Sequence, residues 1–129
     1  MKMNSYNKYH AHKIATPEGT FDSKKEYRRW CELKLLLKAG EIHDLKRQVK
    51  FELIPVQKEN STEVYKSGKN KGLMKPGRVL ERACDYIADF TYYYKGSYVV
   101  EDTKGVRTPE YVIKRKLMLY KYGIRISEI

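Results

Sequence analysis

Two carboxylates and an ammonium group, Asp89, Asp102 and Lys104, flank a short turn signal. Carboxylate oxygens are hard donors that suit a divalent cation, and a lysine beside them can balance their charge or stabilise charge on an anion. Whether these residues meet depends on the turn. Tyr94-Lys95-Gly96-Ser97 reads as a tight hairpin turn, with Gly96 supplying the unusual backbone angles. A two-residue loop at Lys95-Gly96 sets Tyr94 opposite Ser97, and counting back along both strands sets Asp89 opposite Asp102. Facing Cβ atoms lie about 4.5–5.5 Å apart. The period of two puts Asp85, Ile87, Asp89 and Thr91 on one face, matched by Val100, Asp102 and Lys104 on the partner strand. A slip of one residue would part the two aspartates. Like charges directly opposed destabilise a sheet. Either a hard cation or an ion pair to Lys104 would compensate, and the pairing leaves both open.

Other acidic and amide residues are candidates to join them. Along a helix, Glu26 shares a stripe with Trp30, Leu33 and Leu37, so it is expected to point inward. It also stands where a capping box places Glu, and the two roles are compatible. Asp85 lies four strand residues from Asp89, about 13 Å away, too far to share a cation. Gln48 sits on the polar side of its strand and is either a supporting residue or merely solvated.

Residues 1–20 are polar, carry Lys8, His10, His12 and Lys13, and read as a basic arm ordered on binding. Ser23-Lys24-Lys25-Glu26 opens a helix that runs to Ala39 and stops at Gly40. Residues 44–54 alternate, with Val49, Phe51 and Leu53 against Gln48, Lys50 and Glu52, the pattern of a strand. Residues 57–77 form a long connection or a loose hairpin. Lys66, Lys69, Lys71, Lys75 and Arg78 fall in or beside it, with no acidic residue among them. A strand from Val79 to Tyr93 and a returning strand from Tyr98 to Lys104 follow. Thr108-Pro109 opens a second helix that Gly123 closes, and Ile124 to Glu128 makes a last short strand. The order is helix, three strands, helix, strand, in one domain over residues 21–129.

The bulk composition narrows the partners. Lys and Arg number 27 against 16 Asp and Glu, a net charge of +11, with a pI near 9.6. That excess favours a polyanion, nucleic acid first. No basic amphipathic helix stands free of the core pattern, and no apolar run approaches the roughly 18 residues of a membrane span. The N-terminus lacks the apolar stretch of a secretion signal. The two cysteines, Cys31 and Cys84, are too few for a disulfide framework or a zinc site, so a reducing cytoplasm is expected.

The segments Phe21-Asp22-Ser23-Lys24-Lys25-Glu26, Gln48 to Leu53, Tyr86-Ile87-Ala88-Asp89-Phe90 and Val99 to Gly105 resemble an uncharacterised family of phage and prophage proteins, domain of unknown function 1064. That family is placed in the PD-(D/E)XK nuclease superfamily, beside Holliday junction resolvases and restriction endonucleases. The resemblance runs from about Lys8 to the C-terminus. It implies an α/β restriction-endonuclease-like core of order αβββαβ, with a mixed sheet flanked by helices. It also implies Mg²⁺ or Mn²⁺ held by Asp89, Asp102, the Thr103 carbonyl and Glu26, with Lys104 as the catalytic lysine. Ala88 stands where the superfamily pattern has Pro, a departure common in the superfamily, and Asp102 in place of the commoner Glu is also allowed, so neither argues against activity. A basic residue from the second helix often lies near such sites. Lys116, on a face with Val112 and Leu119, is the candidate, unless its stem only covers the core edge.

The activity so implied is metal-dependent hydrolysis of DNA phosphodiester bonds, structure-specific on branched or junction DNA. The setting is phage recombination or replication in the cytoplasm of a bacterial host, and paired cuts imply a homodimer. Lys66, Lys69, Lys71, Lys75 and Arg78, together with Lys8 and Lys13, would grip backbone phosphates. A non-catalytic nucleic-acid-binding or inhibitory protein on the same fold, and an RNA nuclease, are the other readings.

Overall fold

The computed structural model describes residues 12–129. In chain order the elements are β1 (Ile14–Thr16), β2 (Gly19–Phe21), α1 (Lys24–Lys38), β3 (Ile42–Ile54), β4 (Gln57–Lys58), β5 (Val79–Glu81), β6 (Cys84–Tyr94), β7 (Ser97–Asp102), α2 (Pro109–Tyr122) and β8 (Ser127–Glu128). The central sheet has four strands in the order β3-β6-β7-β8. Its first two pairings are antiparallel and the last, β7 with β8, is parallel. This is a mixed α/β fold, with α1 on one face of the sheet and α2 on the other.

The helices begin and end where their caps dictate. The Ser23 hydroxyl accepts from the Glu26 N–H at 3.1 Å and starts α1; Thr108 does the same for α2, with Pro109 at its first position. Gly123, at φ 67°, takes the left-handed conformation that closes α2. The inner face of α1 buries Leu33 with Ile42, Phe90 and Tyr92, and Trp30 and Leu36 pack on them. Tyr111 and Met118 of α2 join Leu53, Tyr86, Ala88 and Val100 on the other side.

Three expectations change. Residues 14–21 are not a free arm: β1 and β2 pair as a hairpin, from Ile14↔Phe21 to Thr16↔Gly19. Phe21 is fully buried beneath the Arg47 guanidinium, 3.7 Å from its ring centroid. Glu18 bonds Trp30 and Lys34 of α1, so polar side chains that look solvated in the sequence are anchoring contacts. Next, the last turn of α1 turns Leu36 inward and leaves Leu37 exposed. Third, the long strand from Val79 divides: β5 leaves the main sheet to pair with β4. Of the two forms left open for the segment after β3, a long connection or a loose hairpin, the chain from 57 to 81 takes the hairpin along much of its length. The bridge Val64↔Met74 and backbone bonds such as Lys75 N–H to Glu63 O, 2.8 Å, hold it together.

Candidate functional site

The β6–β7 hairpin sets the site. Lys95 and Gly96, at φ 48° and 79°, form the two-residue turn whose twist matches the strands. The ladder then runs from Tyr94↔Ser97 to Phe90↔Glu101, in the predicted register, and its next step brings Asp89 opposite Asp102. There Asp89 is held from the partner strand: its Oδ2 accepts from the Thr103 N–H at 2.8 Å and the Thr103 hydroxyl at 2.7 Å. Thr103 therefore meets the site as a donor to Asp89.

The period of two does not survive through this point. Ala88 packs in the cluster under α2, whereas Phe90, two residues on, packs in the cluster under α1. On β3, Gln48 occupies the step between Arg47↔Phe90 and Val49↔Ala88, facing Asp89, and has φ 51°. A non-glycine residue held left-handed costs about 1–2 kcal/mol, and such strain collects at functional sites. The shared face expected for Asp85, Ile87, Asp89 and Thr91 is thus broken at Asp89.

This irregular step meets the start of α1. Glu26 is 1% exposed. Its Oε1 accepts from Gln48 Nε2 at 3.1 Å and its Oε2 from the Asp22 N–H at 2.8 Å. Glu26 therefore both caps the helix entrance and faces the sheet. Carboxylate oxygens of Asp22, Glu26 and Asp89 lie within 4.8 Å of one another. Burial, then the neighbouring Asp89 carboxylate, pushes the Glu26 carboxyl up to about 7.

Asp102 is buried on the other side of Asp89. Its Oδ2 accepts from the Tyr86 hydroxyl at 2.6 Å, and Lys104 Nζ stands 3.5 Å from its Oδ1. Burial is the main cause that raises its acid to about 6; the Tyr86 bond and Lys104 oppose the rise and Asp89 adds to it. Lys104 also lies 4.3 Å from the centroid of the Tyr111 ring, which keeps the ammonium beside the carboxylates. The cleft over these groups has a volume of about 400 Å³, and Asp22, Lys25, Glu26, Asp89, Asp102 and Lys104 are among its lining residues.

Of the predicted site residues, Asp89, Asp102, Thr103, Lys104 and Glu26 converge on this cleft and Gln48 supports it from behind Glu26. Lys116 does not: it is exposed, and lines a different pocket between α2 and β8. Lys66, Lys69 and Lys71 are exposed near the tip of the 57–81 hairpin. Lys75 and Arg78 are partly engaged, at 3.7 Å from Glu63 and 3.0 Å from Glu59. Lys13 is exposed just before β1, and Lys8 lies outside the described residues.

Sequence reasoning missed Asp22, Lys25 and Tyr86. Asp22 and Lys25 flank the capping serine, a position that signals a helix start rather than a site. Tyr86 reaches Asp102 because side-chain alternation fails at Asp89, which a pattern of two cannot foresee. Every carboxylate at the cleft is a hard oxygen donor. Two of them are buried and hold their protons above the ordinary range, so a divalent cation of the Mg²⁺ or Mn²⁺ type would relieve the crowding. Among the described residues, no imidazole or thiolate lines the cleft to favour zinc.

A family model described as "Protein of unknown function (DUF1064)" matches residues 6–127. No curated protein and no solved structure matches the chain.

Proposed function

We propose that this chain, which belongs to the DUF1064 family, is a metal-dependent endonuclease that hydrolyses phosphodiester bonds in DNA. The observation that carries this reading is the convergence of Asp89, Asp102 and Glu26 with Lys104 at one cleft, in a chain of net charge +11. The finer fold belongs to the same proposal. Setting aside the two small hairpins, α1, β3, β6, β7, α2 and β8 would correspond to the αβββαβ order of the PD-(D/E)XK core that the sequence resembles.

Asp89 and Asp102 would hold the cation, with Glu26 and Asp22 within reach. A bound Mg²⁺ or Mn²⁺ supplies charge neutralisation at the phosphate and lowers the pKa of water. Thr103 fixes the Asp89 carboxylate through two hydrogen bonds, so its free oxygen keeps one orientation. Tyr86 does the same for Asp102. Lys104, partly exposed between Asp102 and the Tyr111 ring, is placed to orient an attacking water or offset charge building on the phosphate. Lys25, at the mouth of the cleft, and Lys66, Lys69 and Lys71 on the hairpin would hold flanking phosphates. No helix among the described residues is long and apolar enough to cross a membrane. These cations lie on the 57–81 hairpin and the cleft rim rather than on a base-reading helix, which favours recognition of branched DNA by shape. Paired cuts at a junction would call for a homodimer.

The test incubates the protein with Mg²⁺ or Mn²⁺ and linear, flapped and four-way DNA, beside Asp89→Asn and Asp102→Asn. Metal-dependent cleavage lost in both variants is the expected result. Binding without cleavage under either metal would sink the reading in favour of a non-catalytic DNA-binding protein. One observation favours that second reading: both oxygens of Glu26 already accept hydrogen bonds from the protein.

A further inference from the structure

The basic run Lys114-Arg115-Lys116 on α2 finds little use at the carboxylate cleft. Lys114 pairs with Glu110 at 3.4 Å. Arg115 and Lys116 instead line a separate pocket of about 360 Å³ between α2 and β8, with Leu119, Ile124, Arg125 and Glu128 also in its wall. The chain reversal at the end of α2 builds this pocket. Gly123, left-handed at φ 67°, lets its own N–H reach Leu119 O at 3.0 Å and the Ile124 N–H reach Met118 O at 3.4 Å. Residues 124–126 then run back along the helix, and Arg125 arrives beside Lys116. The pocket's one carboxylate, Glu128, is already taken by Arg107 at 2.9 Å and Arg115 at 3.5 Å. Lys116 and Arg125 form no ion pair among the described residues, although both face the same cavity.

Two cations without counter-charge over an apolar floor of Leu119 and Ile124 suit a phosphate group with a sugar attached. Their side chains can also meet it at little desolvation cost, because both are exposed. The position fits as well: Glu128 pairs with Asp102 across the β7–β8 ladder, so the pocket begins about one strand spacing, ~4.8 Å, beyond the carboxylates. We propose that the pocket between α2 and β8 is a second phosphate-binding site, holding a backbone phosphate of the nucleic acid whose neighbouring phosphate lies in the carboxylate cleft. The class of ligand rests on the nuclease reading; the anion site itself does not.

Amide chemical shifts would be followed by NMR at low salt, with inorganic phosphate and with a short single-stranded oligodeoxynucleotide as separate probes. Both probes should move Lys116, Leu119 and Arg125. The double variant K116E/R125E should lose those shifts and lower the slope of log affinity against log salt by roughly one to two for the oligonucleotide. K116R/R125K should retain both, which separates lost charge from lost fold. Shifts confined to the cleft and the hairpin, or an unchanged salt slope in K116E/R125E, overturn the site. Shifts with inorganic phosphate but none with the oligonucleotide overturn the nucleic-acid ligand. Cleavage by the wild type is scored separately. No cleavage with the pocket shifts intact defeats the nuclease reading alone, and cleavage with an unchanged slope defeats this pocket alone.

Discussion

Glu101 and Asp102 are adjacent on β7, both almost wholly buried, and project from opposite faces of the sheet into different environments. On the α1 side, Arg29 grips Glu101 through two bonds, 2.8 Å from Nε and 2.7 Å from Nη2, and the Tyr92 hydroxyl adds a third. On the α2 side, Asp102 has one hydroxyl at 2.6 Å, an ammonium only at 3.5 Å, and a second carboxylate close by. Glu101 is a charge with a complete set of partners, so its work is structural. Asp102 is a carboxyl group left short of them, and burial raises the pH at which it gives up its proton. Burial alone therefore does not single out a candidate site carboxylate; the shortfall in partners does.

The widest separation between the two should come from Asp102→Asn. Removing a donor to the proposed cation forfeits several kcal/mol of transition-state stabilisation, a loss of cleavage on the order of a thousandfold. Thermal unfolding should show no loss of stability, because the amide keeps the Tyr86 contact and removes a crowded charge. Cleavage that persists in this variant would place the site elsewhere. Arg29→Ala should do the reverse. It strands Glu101 without its counter-ion, for which about 3–5 kcal/mol is the usual cost, read as a lowered midpoint in urea. If Arg29→Ala costs no more than an exposed ion pair does, the contrast between the neighbours collapses.

Tyr86→Phe tests the same contrast with a smaller expected effect. Loss of a group that orients a ligand typically costs 10–100-fold in metal affinity or activity. Activity titrated against Mg²⁺ should show the apparent affinity falling while the fold is kept. An unchanged titration would make the 2.6 Å bond to Asp102 a packing detail.

How much of this was legible in the sequence follows from which interactions are local. The Ser23 and Thr108 caps, the Gly123 stop and the Lys95-Gly96 turn are decided within a few residues, and the turn alone gave the register that brings Asp89 to Asp102. The partners of each carboxylate are not local. Arg29 comes to Glu101 from α1, and Gln48 comes to Glu26 from β3. The left-handed Gln48 breaks the alternation on which face assignments depended, so Tyr86 was invisible as the partner of Asp102. The helical face of Lys116 leaves open whether it supports the site or only covers the core edge; the stripe α2 buries runs through Tyr111 and Met118 and leaves Lys116 away from the cleft.

The shortfall around Asp102 and Glu26 also has a consequence in pH. Their carboxyl groups are raised to about 6 and about 7, from ordinary values of 3.8 and 4.5. A raised carboxylate favours the folded state in its neutral form. The stability it lends is full below its ordinary range and is lost as pH rises through the folded value. Metal-free protein should therefore lose stability between about pH 4 and pH 8 from this pair. A divalent cation binds the ionised form, so the two effects oppose each other at high pH and cancel little at low pH. Thermal unfolding with and without Mg²⁺ should show a gain in Tm of roughly 3–5 °C at pH 8, shrinking towards nothing at pH 5. Asp89→Asn should abolish the gain at both. An equal gain at the two pH values would mean that the cation sits away from the raised carboxylates, and Asp102 would then be no more of a site than its neighbour Glu101.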